Sequence, residues 1–299
     1  MELSWLMRLR IAGAVAAGVI LIGLLAWPLG APADPFGAVF AGTVSRAGAI
    51  GLGLLAVGAG FIGYFVSWPY GREIGILAVP SGLAVWAVRS GSMANLMTRN
   101  HLLAERQELF ATLKWEPILW LAIVAAGFGG VLLGQRIKAK PLGEKPAQEP
   151  NSKSNKYLNV IIALVSSVVI VQFFIRIFAQ DVRIPDSRVV SVLAQPAVGQ
   201  IIFAVSASFA IAAFVAKKFL DVSYIWPTVA GPLVTAFSIN TYVKRDVLQH
   251  LVQNWPATFF SNAVISILPV QMVAFGTFGS IAGYWLAIRY DYWRKHELK

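Results

Sequence analysis

Uncharged, apolar runs recur along the whole chain, separated by short clusters of polar residues. A helix rises about 1.5 Å per residue and the hydrocarbon core of a bilayer is about 30 Å thick, so a spanning helix needs roughly 17 to 25 such residues. Six runs reach that length, at residues 11–29, 47–66, 117–134, 157–175, 199–216 and 264–288. Two more are weaker. The run at 74–88 is short and carries Pro80, and the run at 223–239 is interrupted by Pro227, Gly231 and Pro232. Counting both, the expected fold is all-α: a polytopic membrane bundle of about eight transmembrane helices.

The spacing of the runs suggests a duplication. A shift of about 150 positions carries Ile11 to Ile161, Ala47 to Ala197 and Pro117 to Ile267, so four spans are followed by four in the same order. Residue identity between the halves is near chance, and the inference rests on order and spacing. The expected organisation is a four-helix membrane repeat at 1–137, a polar flexible linker at 138–156 and a second four-helix repeat at 157–299. Four crossings return the chain to its starting side, so the repeats are expected to be parallel, not inverted.

Composition agrees with a nonaqueous solvent: 57% of the 299 residues are hydrophobic and 13% charged, where soluble domains carry about 25% charged residues. The net charge of +11 lies mainly beside the spans. There it points to contact with anionic lipid headgroups, not to nucleic acid. With eight spans, 15 of the 25 lysines and arginines fall on the side that holds both termini and Lys145. The positive-inside rule makes that side cytoplasmic, and a bacterial inner membrane is the expected location. Arg8 and Arg10 before the first run, with Ala31-Pro32-Ala33 after it, resemble a secretory signal. The run is longer than a usual signal core, so it is expected to stay as an anchor.

The chain offers little acid–base or metal chemistry. There is no cysteine, and only three histidines are present. None of the six clear runs holds Asp, Glu, Lys, Arg or His, which argues against a carboxylate-based proton pump. No phosphate loop, zinc-protease helix or Gly-x-Ser-x-Gly elbow occurs. No catalytic residue, metal or cofactor is expected. The stretch 93–115 is too polar to span and is expected to lie along the interface, with 246–260 as its counterpart. His101 and His250, one in each stretch, lack further ligands. Trp68, Trp115, Trp226, Trp255 and Trp293 fall near span ends, where a headgroup belt places them.

Two features bear on packing and function. Small-xxx-small pairs, which let helices approach closely in lipid, occur at Ala49/Gly53, Ala56/Gly60, Ala59/Gly63, Gly130/Gly134, Ser206/Ala210 and Gly279/Gly283. Proline-interrupted segments stand third in each half, and such segments at matching positions often mark a binding site where helices unwind. The expected substrate-binding residues are Pro80, Ser81 and Gly82 in the first half and Pro227, Thr228, Gly231 and Pro232 in the second, with Thr235 and Ser238 nearby. The competing reading is a proline kink repaired by neighbouring helices. Two functions follow: a permease or channel-like transporter of a small neutral or amphipathic solute, or a noncatalytic scaffold subunit with partner membrane subunits or copies of itself.

Overall fold

The computed structural model describes residues 4–34, 36–138 and 153–296. Most of the expected linker, with Lys140 and Lys145, lies outside the described residues, as does Lys299. The chain is mostly helical, 77% of it. Its first half runs through α1 (Trp5–Gly18), continued by a π-helical segment Val19–Leu25, then α2 (Arg46–Val66), α3 (Gly71–Ile74) and α4 (Ala78–Arg89). Two short helices, α5 (Met93–Arg99) and α6 (Leu103–Leu113), precede α7 (Glu116–Ile137). The second half begins with α8 (Lys153–Phe178) and a hairpin of β1 (Arg183–Asp186) and β2 (Val190–Ala194). It continues through α9 (Val198–Leu220), α10 (Ile225–Tyr242), α11 (Arg245–Asn254), β3 (Phe259–Phe260) and α12 (Pro269–His296).

Six helical stretches are long and apolar enough to cross a membrane: Trp5–Leu25, Arg46–Val66, Gly71–Arg89, Leu103–Ile137, Lys156–Phe178 and Val198–Leu220. They suggest an integral membrane protein. The stretch with Pro80 is among them because α3, a 3-10 turn at Gly75–Leu77 and α4 run on as one piece. The other two expected spans form α10 and α12, helices of 18 and 28 residues. More polar residues interrupt them, including Thr228, Thr235 and Ser238 in α10 and Gln271, Thr277 and Ser280 in α12, and neither is among the six.

The all-α expectation needs one correction. β1, β2 and β3 form an antiparallel sheet in that order, with Arg183 opposite Leu193 and Leu193 opposite Phe260. Pro185 is tolerated because β1 is an edge strand and need not donate on its open side. Asp186 pairs with Val190, whose φ of 70° is unusual for a β-branched residue. The polar stretch 93–115 also differs from a single interfacial helix, since Asn100 ends α5 and Glu105 caps the amide of Leu102 to start α6.

The described residues group into two compact units. One holds residues 4–33, 39–89 and 119–138. The other holds 34, 36–38, 90–118 and 153–296. Residues 90–118 therefore group with the second half of the chain, although their sequence position falls within 1–137, the expected first repeat.

In the first unit, backbones meet closely at glycines. A Cβ on Gly18 would overlap the Ala78 carbonyl, and one on Gly60 or Gly130 would overlap the carbonyl of Gly127 or Val57. Gly53, by contrast, meets nothing within 4 Å. Trp86 is fully buried, donates from Nε1 to the Ile22 carbonyl at 2.7 Å and packs edge-on against Trp27 and Trp120.

In the second unit, α9 and α12 run side by side. A Cβ on Gly279 would overlap the Ser206 carbonyl, and one on Gly283 the Ala210 carbonyl. Side chains tie the helix ends together. Gln200 at the start of α9 donates to the Phe178 carbonyl at 3.1 Å, and Asn159 near the start of α8 donates to the Leu220 carbonyl at 3.2 Å. Lys218 pairs with Asp291 at 3.2 Å near the ends of α9 and α12. These contacts set α8 antiparallel to α9 and α9 parallel to α12.

Candidate functional site

The two proline-containing strings fold into helix. Pro80 is the third residue of α4, directly after the 3-10 turn, so its missing N–H falls where α-helical pairing is only beginning. Ser81 donates to the Ala78 carbonyl at 2.6 Å and lies 3.2 Å from that of Val15. Gly82 faces the π-helical segment, where an added Cβ would collide with the Ile22 side chain and the Gly18 carbonyl. All three residues are buried.

Pro227 is likewise the third residue of α10, where amides have no intrahelical partner. Pro232 alone is interior. The break expected around Thr228, Ala230 and Gly231 is absent, and α10 runs through from Ile225 to Tyr242. Its hydroxyls bond back onto their own helix: Thr228 donates to Tyr224 at 3.0 Å and Thr235 to Gly231 at 3.2 Å. Thr228, Gly231, Thr235, Ser238 and Tyr242 form one buried stripe at helical spacing. A Cβ on Gly231 would meet the Phe209 ring at 3.6 Å, an ordinary contact. Ser238 departs from the pattern, for its buried hydroxyl has no hydrogen-bond partner. Pro80, Ser81 and Gly82 belong to the first unit, and Pro227, Thr228, Gly231 and Pro232 to the second.

A polar cluster that the sequence did not reveal joins the hairpin to α11. The Asp186 carboxylate accepts the backbone amides of Arg188 and Val189 at 2.8 and 2.9 Å, closing the turn between β1 and β2. It also accepts Nε1 of Trp255 at 2.7 Å and pairs with Nε2 of His250 at 2.9 Å. With Nε2 donating, Nδ1 of His250 is left to accept the Asn254 side-chain amide at 3.2 Å. The hydrogen bond from His250, then the one from Val189, holds the Asp186 carboxyl well below the usual carboxylate range. Trp255, expected in a headgroup belt, thus has a specific partner. His101 is exposed, so the two histidines do not share an environment.

Among the described residues no group of three or more His, Cys, Asp or Glu side chains is placed to hold a metal ion. The clasp holds one carboxylate and one imidazole, each engaged in structural hydrogen bonds. It fastens a loop and presents no activated nucleophile. No protein-family model, curated protein or solved structure matches the chain.

Proposed function

We propose that this chain is a noncatalytic structural subunit of a membrane assembly, a helical scaffold that holds partner membrane subunits. One observation carries this reading: the Pro/Gly strings that would open a solute site lie within continuous helix, with the hydroxyls of Ser81, Thr228 and Thr235 bonded to nearby carbonyls. A permease needs polar groups left for a solute, whereas a scaffold needs helices held in fixed register. Glycine-mediated backbone contacts supply that register.

The proposal includes eight crossings arranged as two parallel four-helix repeats, with both termini cytoplasmic in a bacterial inner membrane. The eighth crossing is supported by length, since the 28 residues of α12 extend about 42 Å at the usual helical rise. The repeat is supported by a constant offset. Gly127, Gly130 and Gly134 of α7 recur as Gly276, Gly279 and Gly283 of α12, each 149 positions later. Their partners keep the same offset: Gly130 packs on Val57 and Gly279 on Ser206, while Gly127 meets Gly60 and Gly276 meets Phe209.

Purification in a mild detergent followed by native mass spectrometry tests the scaffold. The expected result is a complex holding this chain and a different membrane polypeptide in fixed ratio. Particles of this chain alone, together with solute flux in liposomes reconstituted from them, would overturn the reading in favour of the permease.

A further inference from the structure

The sheet end of the second unit carries a cavity of about 530 Å³. Arg176 from the last turn of α8, Arg183 from β1 and Arg188 from the hairpin turn all line it. No aspartate or glutamate lines it, and no ion pair engages any of the three arginines among the described residues. Asp186, the acid lying between Arg183 and Arg188 in sequence, is committed to His250, Trp255 and the turn amides. Arg183 is itself oriented, because its Nε donates to Ser191 Oγ at 2.9 Å and leaves its two terminal nitrogens for another acceptor.

The rest of the lining completes the chemistry. Ser238, 4% exposed, lines this cavity and has a buried hydroxyl without a hydrogen-bond partner, and Asn262 adds an amide. Phe173, Ile177, Leu193 and Val247 supply an apolar side. Phe173 and Ile177 lie on a stretch apolar enough to cross a membrane and are exposed there, so the cavity adjoins a lipid-facing surface. A single arginine at a helix end is ordinary snorkelling. Three without a carboxylate, beside a buried hydroxyl lacking a partner, are a different matter. Guanidinium forks match phosphate oxygens in geometry and charge.

We infer that this cavity binds a phosphoryl group, presented either by an anionic phospholipid headgroup or by a free phosphate compound. The site is independent of the scaffold reading. An assembly with no such ligand would still be a scaffold, and a permease could equally carry the site.

The test compares the full chain with an Arg176→Gln/Arg188→Gln variant, chosen because both side chains are exposed. Each is placed in phosphatidylcholine nanodiscs with and without phosphatidylglycerol, and lipid retention is read by native mass spectrometry and melting temperature. In phosphatidylcholine alone, inorganic phosphate and glycerol phosphate are titrated against a chloride control. The variant is expected to bind at least about tenfold more weakly, from the loss of charge-assisted hydrogen bonds. A response confined to phosphatidylglycerol assigns the site to a lipid headgroup, and a response to the soluble phosphates assigns it to a free ligand. Equal responses in wild type and variant, or none beyond the chloride control, would overturn the inference. Should the double variant not fold, Arg188→Gln alone, altered only in the hairpin turn, gives the same comparison.

Discussion

Gly82 and Gly231 stand at the same position of the proposed repeat, 149 residues apart, beside prolines in helices of matching order. Their surroundings differ. Gly82 is pressed against the Ile22 side chain and the Gly18 carbonyl, so its lack of a side chain is what lets α4 approach the π-helical segment. Gly231 has room, with the nearest ring atom at 3.6 Å from where a Cβ would stand. Matching motifs thus do unlike work. In the first half the string is a packing contact. In the second it is one step of a polar stripe that ends near an unpartnered serine.

Substitution at Gly82 has the largest expected effect. Gly82→Ala should lower the stability of the detergent-purified protein by about 2 kcal/mol, since the added methyl meets backbone that cannot move aside. Thermal unfolding measures it, and a variant as stable as wild type would mean that the close approach of α4 is not real. Pro232→Ala comes next, with the opposite sign. It restores a donor to the carbonyl of Thr228 within a helix that is already continuous, and should raise stability by on the order of 1 to 2 kcal/mol. A loss instead would show that the proline ring fills space that alanine leaves empty. The smallest effect belongs to Gly231→Ala, a gain of up to about 1 kcal/mol from helix propensity at a site with ordinary clearance. Were Gly231→Ala to destabilise as much as Gly82→Ala, the contrast between the two strings would collapse.

The close helix contacts were partly legible from sequence, since local spacing marks where small residues can face a neighbour: Gly130 and Gly283 face neighbouring helices, as their small-xxx-small pairs imply. Gly53 sits in a similar pair and faces nothing within 4 Å, which shows that the spacing alone does not select the buried face. The role of Pro227 depended on where α10 begins. A start at Ser223 makes it an interruption, while the actual start at Ile225 makes it a first-turn residue. The sheet had a local signal in Val189, Val190 and Val192, a β-branched cluster after a turn residue, within a connection too short to rival the spans. The pairing of Asp186 with His250 had none. It joins residues 64 positions apart through helices whose packing no periodicity encodes.

That separation governs the order in which the molecule can be assembled. Asp186 leaves the ribosome before α9 and α10, whereas His250 and Trp255 follow them. The hairpin turn can close at once on its own amides, but the carboxylate gains its two side-chain donors only after both helices have been made and α11 has emerged. Since β3 comes later still, the sheet is completed only once Phe259 and Phe260 have been made. The clasp therefore records that α11 has been made: a chain arrested after α10 would carry every residue of the hairpin and neither of the side chains, His250 and Trp255, that donate to Asp186.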